Sequence, residues 1–230
     1  MVAKPENEAQ GVAVLFSAGL DSAVLLADAA TRHRAVPVYV TSGLAWEAAE
    51  RAAIDRLLAT SPYQTNVGPL VTLNADMRDV YPASHWAVRG EAPAFDTPDE
   101  DVYIEGRNIV LLSKTAVFMA RAGIARVLIG PLAGNPFPDA TAAFFSAMST
   151  ALTLGLGRPI SIDAPFADMH KTDVIRLGAA RGVPFELTLS CMQPVDGRHC
   201  GRCSKCRERR DAFGEAGVED PTEYAVKPAR

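Results

Sequence analysis

A chain of 230 residues is long enough for one large domain, or for one domain with a small appendage. Apolar residues make up 48% and charged residues 22%, an ordinary mix for a globular protein in water. The net charge of −4 gives no reason to propose a nucleic-acid partner, and no apolar run approaches the roughly 18 residues that span a bilayer.

The segment from Met1 to Gln10 is polar and mixed in charge. It lacks the apolar core of a secretion signal, so the expected compartment is the cytoplasm. Residues 12–16 form a short apolar run that reads as a buried strand. Ser17 to Asp21 is a small-residue turn, and residues 22–30 read as an alanine-rich helix. Residues 36–40 read as a second strand, 47–59 as a helix and 67–73 as a third strand. Residues 76–106 break this rhythm with prolines and acids, and predict a long functional loop over a site. A helix over 108–122, a strand over 126–130, a helix over 140–154, a strand over 159–164 and a helix over 171–181 follow. Strands alternating with helices predict an α/β fold, a parallel sheet with helices on both faces.

The turn Ser17-Ala18-Gly19-Leu20-Asp21-Ser22 sits where the first strand hands over to the first helix. Free backbone N–H groups and the helix dipole converge there, which suits an anion. Gly19 permits close backbone approach and unusual φ. Ser17 and Ser22 supply hydroxyls, and Asp21 could hold a magnesium ion that in turn holds a phosphate. The turn is not a Walker A loop, because no Gly-Lys-Ser/Thr follows, and it lacks the dinucleotide fingerprint Gly-x-Gly-x-x-Gly. An ordinary strand-to-helix turn with a capping Asp or Ser is the alternative.

All four cysteines fall between Cys191 and Cys206, at Cys191, Cys200, Cys203 and Cys206. A disulfide framework would spread them along the chain. Two tight C-x2-C steps instead aim four soft ligands at one ion, the pattern of structural zinc. Arg198, Arg202, Lys205 and Arg207 interleave with them and could offset thiolate charge. An iron–sulfur cluster and a redox C-x-x-C pair are the competing readings. The composition shift after Pro184 divides the chain into a nucleotide-binding domain over 11–186 and a C-terminal zinc-binding segment over 187–230.

Ser17 to Ser22 resembles the Ser-Gly-Gly-x-Asp-Ser loop of the N-type ATP pyrophosphatases, with Ala18 replacing one glycine. That replacement is mild if the position has negative φ. Leu187-Thr188-Leu189-Ser190-Cys191, then Cys200-Gly201-Arg202-Cys203-Ser204-Lys205-Cys206-Arg207 and Ala212-Phe213, resemble the 7-cyano-7-deazaguanine synthases of queuosine biosynthesis. Gly106-Arg107-Asn108, and Ala164-Pro165 with Lys171 and Val174-Ile175-Arg176-Leu177-Gly178, agree with the same family.

The resemblance implies an adenine nucleotide alpha hydrolase-like, Rossmann-like fold. It implies ATP and Mg2+ held at Ser17, Ala18, Gly19, Leu20, Asp21 and Ser22, with Arg107 and Lys171 as cations for phosphate oxygens. Asp21, Lys171 and Arg107 are then the catalytic candidates. The implied reaction adenylates a deazapurine acid, aminates it with ammonia, and adenylates the amide again to give a nitrile. A homodimer is implied as well.

Two segments depart from the family pattern. Thr41-Ser42-Gly43-Leu44-Ala45-Trp46-Glu47 replaces Asp-Tyr-Gly-Gln and basic residues, and only Gly43 survives. Leu132 to Thr141 keeps Pro138-Asp139 but loses the family's tyrosines, Cys and Arg. Both follow strand ends, where α/β sheets bind ligands. Trp46, Trp86 and Phe137 could stack on a flat heterocycle there. The alternatives are a ligase that stops at the amide or joins such an acid to another amine or a protein, and a non-catalytic ATP-binding zinc module.

Overall fold

The computed structural model describes residues 11–227. The polar segment read above for its lack of a secretion core lies outside the described residues, as do residues 228–230 of the C-terminal segment. Five strands form one parallel sheet: β1 Val12–Leu15, β2 Ala35–Thr41, β3 Val71–Asn74, β4 Arg126–Leu128 and β5 Ser161–Asp163, in the order β3-β2-β1-β4-β5. Among the described residues, seven α-helices accompany them: α1 Leu20–Ala30, α2 Glu47–Leu58, α3 Trp86–Arg89, α4 Arg107–Ala122, α5 Ala142–Leu156, α6 Lys171–Ala180 and α7 Ser204–Ala216.

The central strands β1 and β2 are apolar on both faces because both faces are covered. Val12 and Val14 of β1 point into one core with α1, α2, α6 and α7, while Ala13 points into a second with α4 and α5. In β2, Tyr39 joins the first core and Val38 and Val40 the second. The chain runs outward from β1 to β3, then returns to β4 on the other side of β1. That reversal opens a crevice at the carboxyl ends of β1 and β4, the place where open α/β sheets bind ligands.

Several boundaries differ from the sequence expectations for local reasons. Helix α1 begins at Leu20, so Asp21 and Ser22 lie in its first turn. Strand β3 begins at Val71, because Pro69 cannot donate to a ladder; Val67 makes only an isolated bridge to Ala35. Helix α5 starts two residues late, capped by Thr141, whose hydroxyl accepts from Phe144 N at 3.1 Å. The expected loop over 76–106 contains α3 and a 3-10 turn at Asp99–Val102. Helix α3 is capped by the His85 side chain, which accepts from Ala87 N, and is ended by Gly90 at φ 78°.

Gly178 sets the approach of α6 to α1. A Cβ there would come within 2.6 Å of both the Phe185 ring and Val24. Helix α7 was not anticipated. Its buried positions Cys206, Arg209, Phe213 and Ala216 recur at helical spacing, a signal that the cysteine motif overshadowed.

Candidate active site and four-cysteine centre

Phe16 ends the first strand by donating its amide to Val38 O at 2.9 Å, and the chain then turns sharply. The expectation that Gly19 supplies the unusual φ, and that Ala18 has negative φ, is corrected: Ala18 has φ +60° and Gly19 φ −62°. A left-handed alanine costs roughly 1 kcal/mol, so the loop stores modest strain. Ala18 is fully buried, and its carbonyl accepts from Leu189 N at 2.8 Å, which holds that conformation in place. Gly19 keeps the turn open, since a Cβ there would press on Ser17 Oγ at 3.3 Å.

The serines knit the loop together. Ser22 Oγ donates to Gly19 O at 3.0 Å and accepts from Ser17 N at 3.3 Å. The first bond within α1 runs from Ala23 N to Gly19 O, so the amides of Leu20, Asp21 and Ser22 have no intrahelical acceptor. They form the positive end of the helix.

Lys171, the first residue of α6, does not reach into solvent. Its Nζ donates to Asp21 Oδ2 at 2.6 Å and pairs with Glu208 Oε1 at 3.0 Å. Glu208 also pairs with Lys205 at 2.6 Å. Burial pulls the Lys171 pKa down, but Asp21 and Glu208 outweigh it and hold the ammonium charged. Burial likewise pushes the Glu208 carboxyl up, yet Lys171 and Lys205 bring it to about 2. An ammonium has three donors, and two of them serve these carboxylates. Asp21 Oδ1 is buried without a hydrogen-bond partner among the described residues. Glu208 was missed in the sequence because its helix was missed.

Arg107 opens α4 directly after Gly106, which has φ +72°. Its Nε is buried and has no partner among the described residues. Asn108 fixes the start of the helix. Its amide donates to Asp139 Oδ2 at 3.1 Å and its side chain to Asp139 O at 3.0 Å. Retained Asp139 therefore ties the loop after β4 to α4. Burial raises the Asp139 pKa, opposed by the Asn108 hydrogen bonds.

These groups meet in one cleft of about 650 Å3, which Ser17, Gly19, Asp21, Arg107 and Lys171 all line. Beside it, a recess of about 290 Å3 opens over the ends of β1, β2 and β4, and Arg107 and Asp21 line it too. The larger cleft is within the usual range for a ligand pocket. Its far wall is aromatic. Trp46 and Trp86 stack at 5.7 Å with an interplanar angle of 18°, and Phe137 stacks on Tyr103 at 5.0 Å. All three aromatics singled out in the sequence thus line the cleft, each already paired with another ring.

One turn along α2 from Trp46, Glu50 also lines the cleft. Its Oε2 accepts from the Tyr39 hydroxyl at 2.8 Å. Burial pushes the Glu50 carboxyl up to about 7, against the pull of Arg107 and of hydrogen bonds from Tyr39 and Trp46. Sequence reading did not single out Glu50, since an isolated Glu in a helix carries no motif.

The four cysteines come together behind the cleft, all buried, with ligand atoms within 4.8 Å of one another. Sγ separations are 3.9 Å for Cys191–Cys203, 3.8 Å for Cys200–Cys206 and 3.5 Å for Cys203–Cys206. A tetrahedron of metal–sulfur bonds of about 2.3 Å has edges of about 3.8 Å. Backbone amides of Gln193 and Cys200 donate to Cys191 Sγ, that of Gly201 to Cys206 Sγ and that of Arg202 to Cys200 Sγ. The arrangement suits one zinc ion. A multi-iron cluster would need the sulfurs spread over separate irons, and a redox pair would leave two thiols unused.

The basic residues do more than screen thiolates. Arg207 donates to the carbonyls of Phe95 and Thr97, and fastens the segment before α4. Arg209, only 1% exposed, donates to Phe185 O, Thr188 Oγ1, Ser190 Oγ and Thr222 Oγ1. His199 stays outside the cluster. Burial, helped by Arg209, lowers its pKa to about 3, and its Nε2 accepts from Ser190 N at 3.0 Å.

Over residues 11–217 the chain matches the family described as Queuosine biosynthesis protein QueC. The chain belongs to the QueC family. It is 34% identical to the 7-cyano-7-deazaguanine synthase of Anaeromyxobacter dehalogenans (strain 2CP-C), covering 97% of this chain and 100% of the relative. It is 35% identical to that of Azoarcus sp. (strain BH72), over 93% and 96%, and 35% identical to that of Methylobacillus flagellatus, over 92% and 95%. Within this QueC-family fold, both departing segments border the aromatic side of the cleft, through Trp46 and through Leu132 to Phe137. Among the described residues no helix is long and apolar enough to cross a membrane.

Proposed function

We propose that this QueC-family chain is an ATP-dependent C–N ligase that converts 7-carboxy-7-deazaguanine and ammonia into 7-cyano-7-deazaguanine. The acid's carboxylate attacks the α-phosphorus of ATP and releases diphosphate. Ammonia displaces AMP and gives the amide. The amide oxygen attacks the α-phosphorus of a second ATP and releases diphosphate, and loss of AMP and the two N–H protons leaves the nitrile. Such chemistry needs positioned donors and charge more than a dedicated base.

The observation that carries the reading is the convergence in one cleft of the open end of α1, Arg107 with its unpartnered Nε, and Lys171. In this reading the amides around Ser17, Ala18, Gly19, Leu20, Asp21 and Ser22 receive phosphate oxygens. The third donor of Lys171 and the fork of Arg107 complete the set. Asp21 Oδ1, buried without a partner among the described residues, is a fitting magnesium donor. Magnesium bound there would neutralise diphosphate charge. Zn2+ on Cys191, Cys200, Cys203 and Cys206 would be structural, since four thiolates leave no open position.

A homodimer belongs to the same proposal. Helix α5 has no charged residue in its 15, and only Phe145 of it is buried, so it presents an apolar face for a second copy.

The test is incubation of the purified protein with ATP, magnesium, ammonium and 7-carboxy-7-deazaguanine. The expected result is AMP together with a product lighter than the amide by one water. AMP with only the amide would overturn the nitrile assignment and keep the ligase. No AMP from the acid would overturn the reading as a whole.

A further inference from the structure

A carboxyl group on the wall of the cleft has no part in the phosphate chemistry. Glu50 is 7% exposed and makes no ion pair among the described residues, unlike Asp21 and Glu208, which Lys171 holds. Burying a carboxyl without a cationic partner is costly. Tyr39 lies beneath it in β2 and donates to one of its oxygens, which fixes the orientation of the group. Beside it, the Trp46–Trp86 pair offers a flat apolar surface that opens to the same cavity. Flat surface and oriented acceptor together suit a planar ring with N–H donors along one edge.

The reaction poses a sorting problem that this geometry answers. ATP and the acid both carry a two-ring heterocycle of similar size. An adenine edge presents an acceptor nitrogen, which a carboxylate repels. A guanine-type edge presents a ring N–H and an exocyclic amino group side by side, which a carboxylate accepts. The 290 Å3 recess has apolar walls at Val38, Val40 and Leu111, and its one carboxylate, Asp21, lies on the phosphate side.

We infer that Glu50 is the specificity residue of the acid subsite. It accepts the ring N–H and 2-amino group of a guanine-type base stacked against Trp46 and Trp86, and so directs ATP's adenine to the neighbouring recess. Naming the ring as the acid substrate's rests on the function proposed above; the recognition of a guanine-type edge by Glu50 is testable by itself. A site that hydrogen-bonds a polar edge discriminates strongly against an analogue that lacks it.

The chain has two tryptophans, and both line the cleft, so their fluorescence reports its occupancy. The experiment, run at about pH 8.5 where the Glu50 carboxyl is ionised, titrates the full protein and its Glu50→Gln variant with 7-deazaguanine, with 7-deazahypoxanthine, which lacks the 2-amino group, and with 7-deazaadenine. Gln keeps one acceptor and turns a donor toward the 2-amino group. The native protein is expected to bind 7-deazaguanine about 100-fold more tightly than either analogue, a preference that Glu50→Gln reduces to a few-fold. A melting temperature at or above the native value shows that the variant is folded. Native protein that binds the three bases alike, binds none of them, or keeps its preference in Glu50→Gln overturns the assignment. Formation of AMP from 7-carboxy-7-deazaguanine is measured in parallel. Its absence, with base preference intact, sinks the proposed reaction and leaves the role of Glu50 standing.

Discussion

Replacing Glu50 with Gln removes an ionisable group that folding has placed in a poor environment, so the variant should gain stability as pH rises. The carboxyl moves from about 4.5 in the unfolded chain to about 7 in the fold, chiefly through burial. A raised carboxyl pKa means that the native state binds the proton more tightly. Stability from that proton is complete below pH 4.5 and is lost as pH rises through 7. At about 1.36 kcal/mol per pKa unit, the native protein forfeits up to about 3 kcal/mol between those limits. Gln stays neutral and forfeits none. Urea unfolding of both proteins from pH 4.5 to pH 8 should give curves that coincide at the acid end and diverge to about 3 kcal/mol at pH 8. For a chain of this size that corresponds to several degrees in Tm. Parallel pH profiles, or a native protein more stable than the variant at pH 8, would refute the reasoning. The variant should become more stable while losing base discrimination, the trade-off expected where a carboxyl is retained for a ligand.

Glu208→Gln removes one of the two charges that hold Lys171, and AMP formation should fall about 10-fold with bound zinc unchanged, read by AMP release and metal content. Gly178→Ala forces a Cβ to within 2.6 Å of Phe185 and Val24, and should cost about 1–3 kcal/mol in urea unfolding. Leu154 is 78% exposed on the uncharged α5, and Leu154→Glu should convert a dimer into monomer by light scattering with its melting temperature little changed. Cys203→Ala should lower the folded fraction measured by circular dichroism, because structural zinc is part of folding free energy; full folding and zinc content in that variant would refute a structural site.

The parts legible in the sequence are those where local pattern and tertiary role coincide. The continuous apolar run at β1 reads as a strand because both its faces are buried, and the four cysteines announce their convergence through spacing alone. Conformational detail was less legible. Which residue of the Ala18-Gly19 pair takes positive φ depends on Leu189, which is 171 positions away in the chain and donates to Ala18 O. The pairing of Lys171 with Asp21 was also hidden, since each reads alone as a phosphate or magnesium ligand. Trp46, Trp86 and Phe137 were recognisable as candidates, but the stacking of Trp46 on Trp86 and of Phe137 on Tyr103 depends on folding of the segment that the sequence suggested was a loop.

The conformation of Ala18 and the pairing of Lys171 both connect the cleft to the four-cysteine centre. Cys191 sits two residues from Leu189, whose amide holds the carbonyl of Ala18. Cys206 sits two residues from Glu208, which holds Lys171, and Arg209 binds Thr188 and Ser190 between the two. One ion at the cysteines would therefore fix both the segment that clamps the turn from Ser17 to Ser22 and the helix that holds Lys171. An apolar core could pack α7, but it would not set Leu189 and Glu208 in register with each other. Four ligands on one centre do so because their bond lengths leave little slack. Conserving stability alone would favour replacing the buried polar groups, whereas conserving this register favours keeping them.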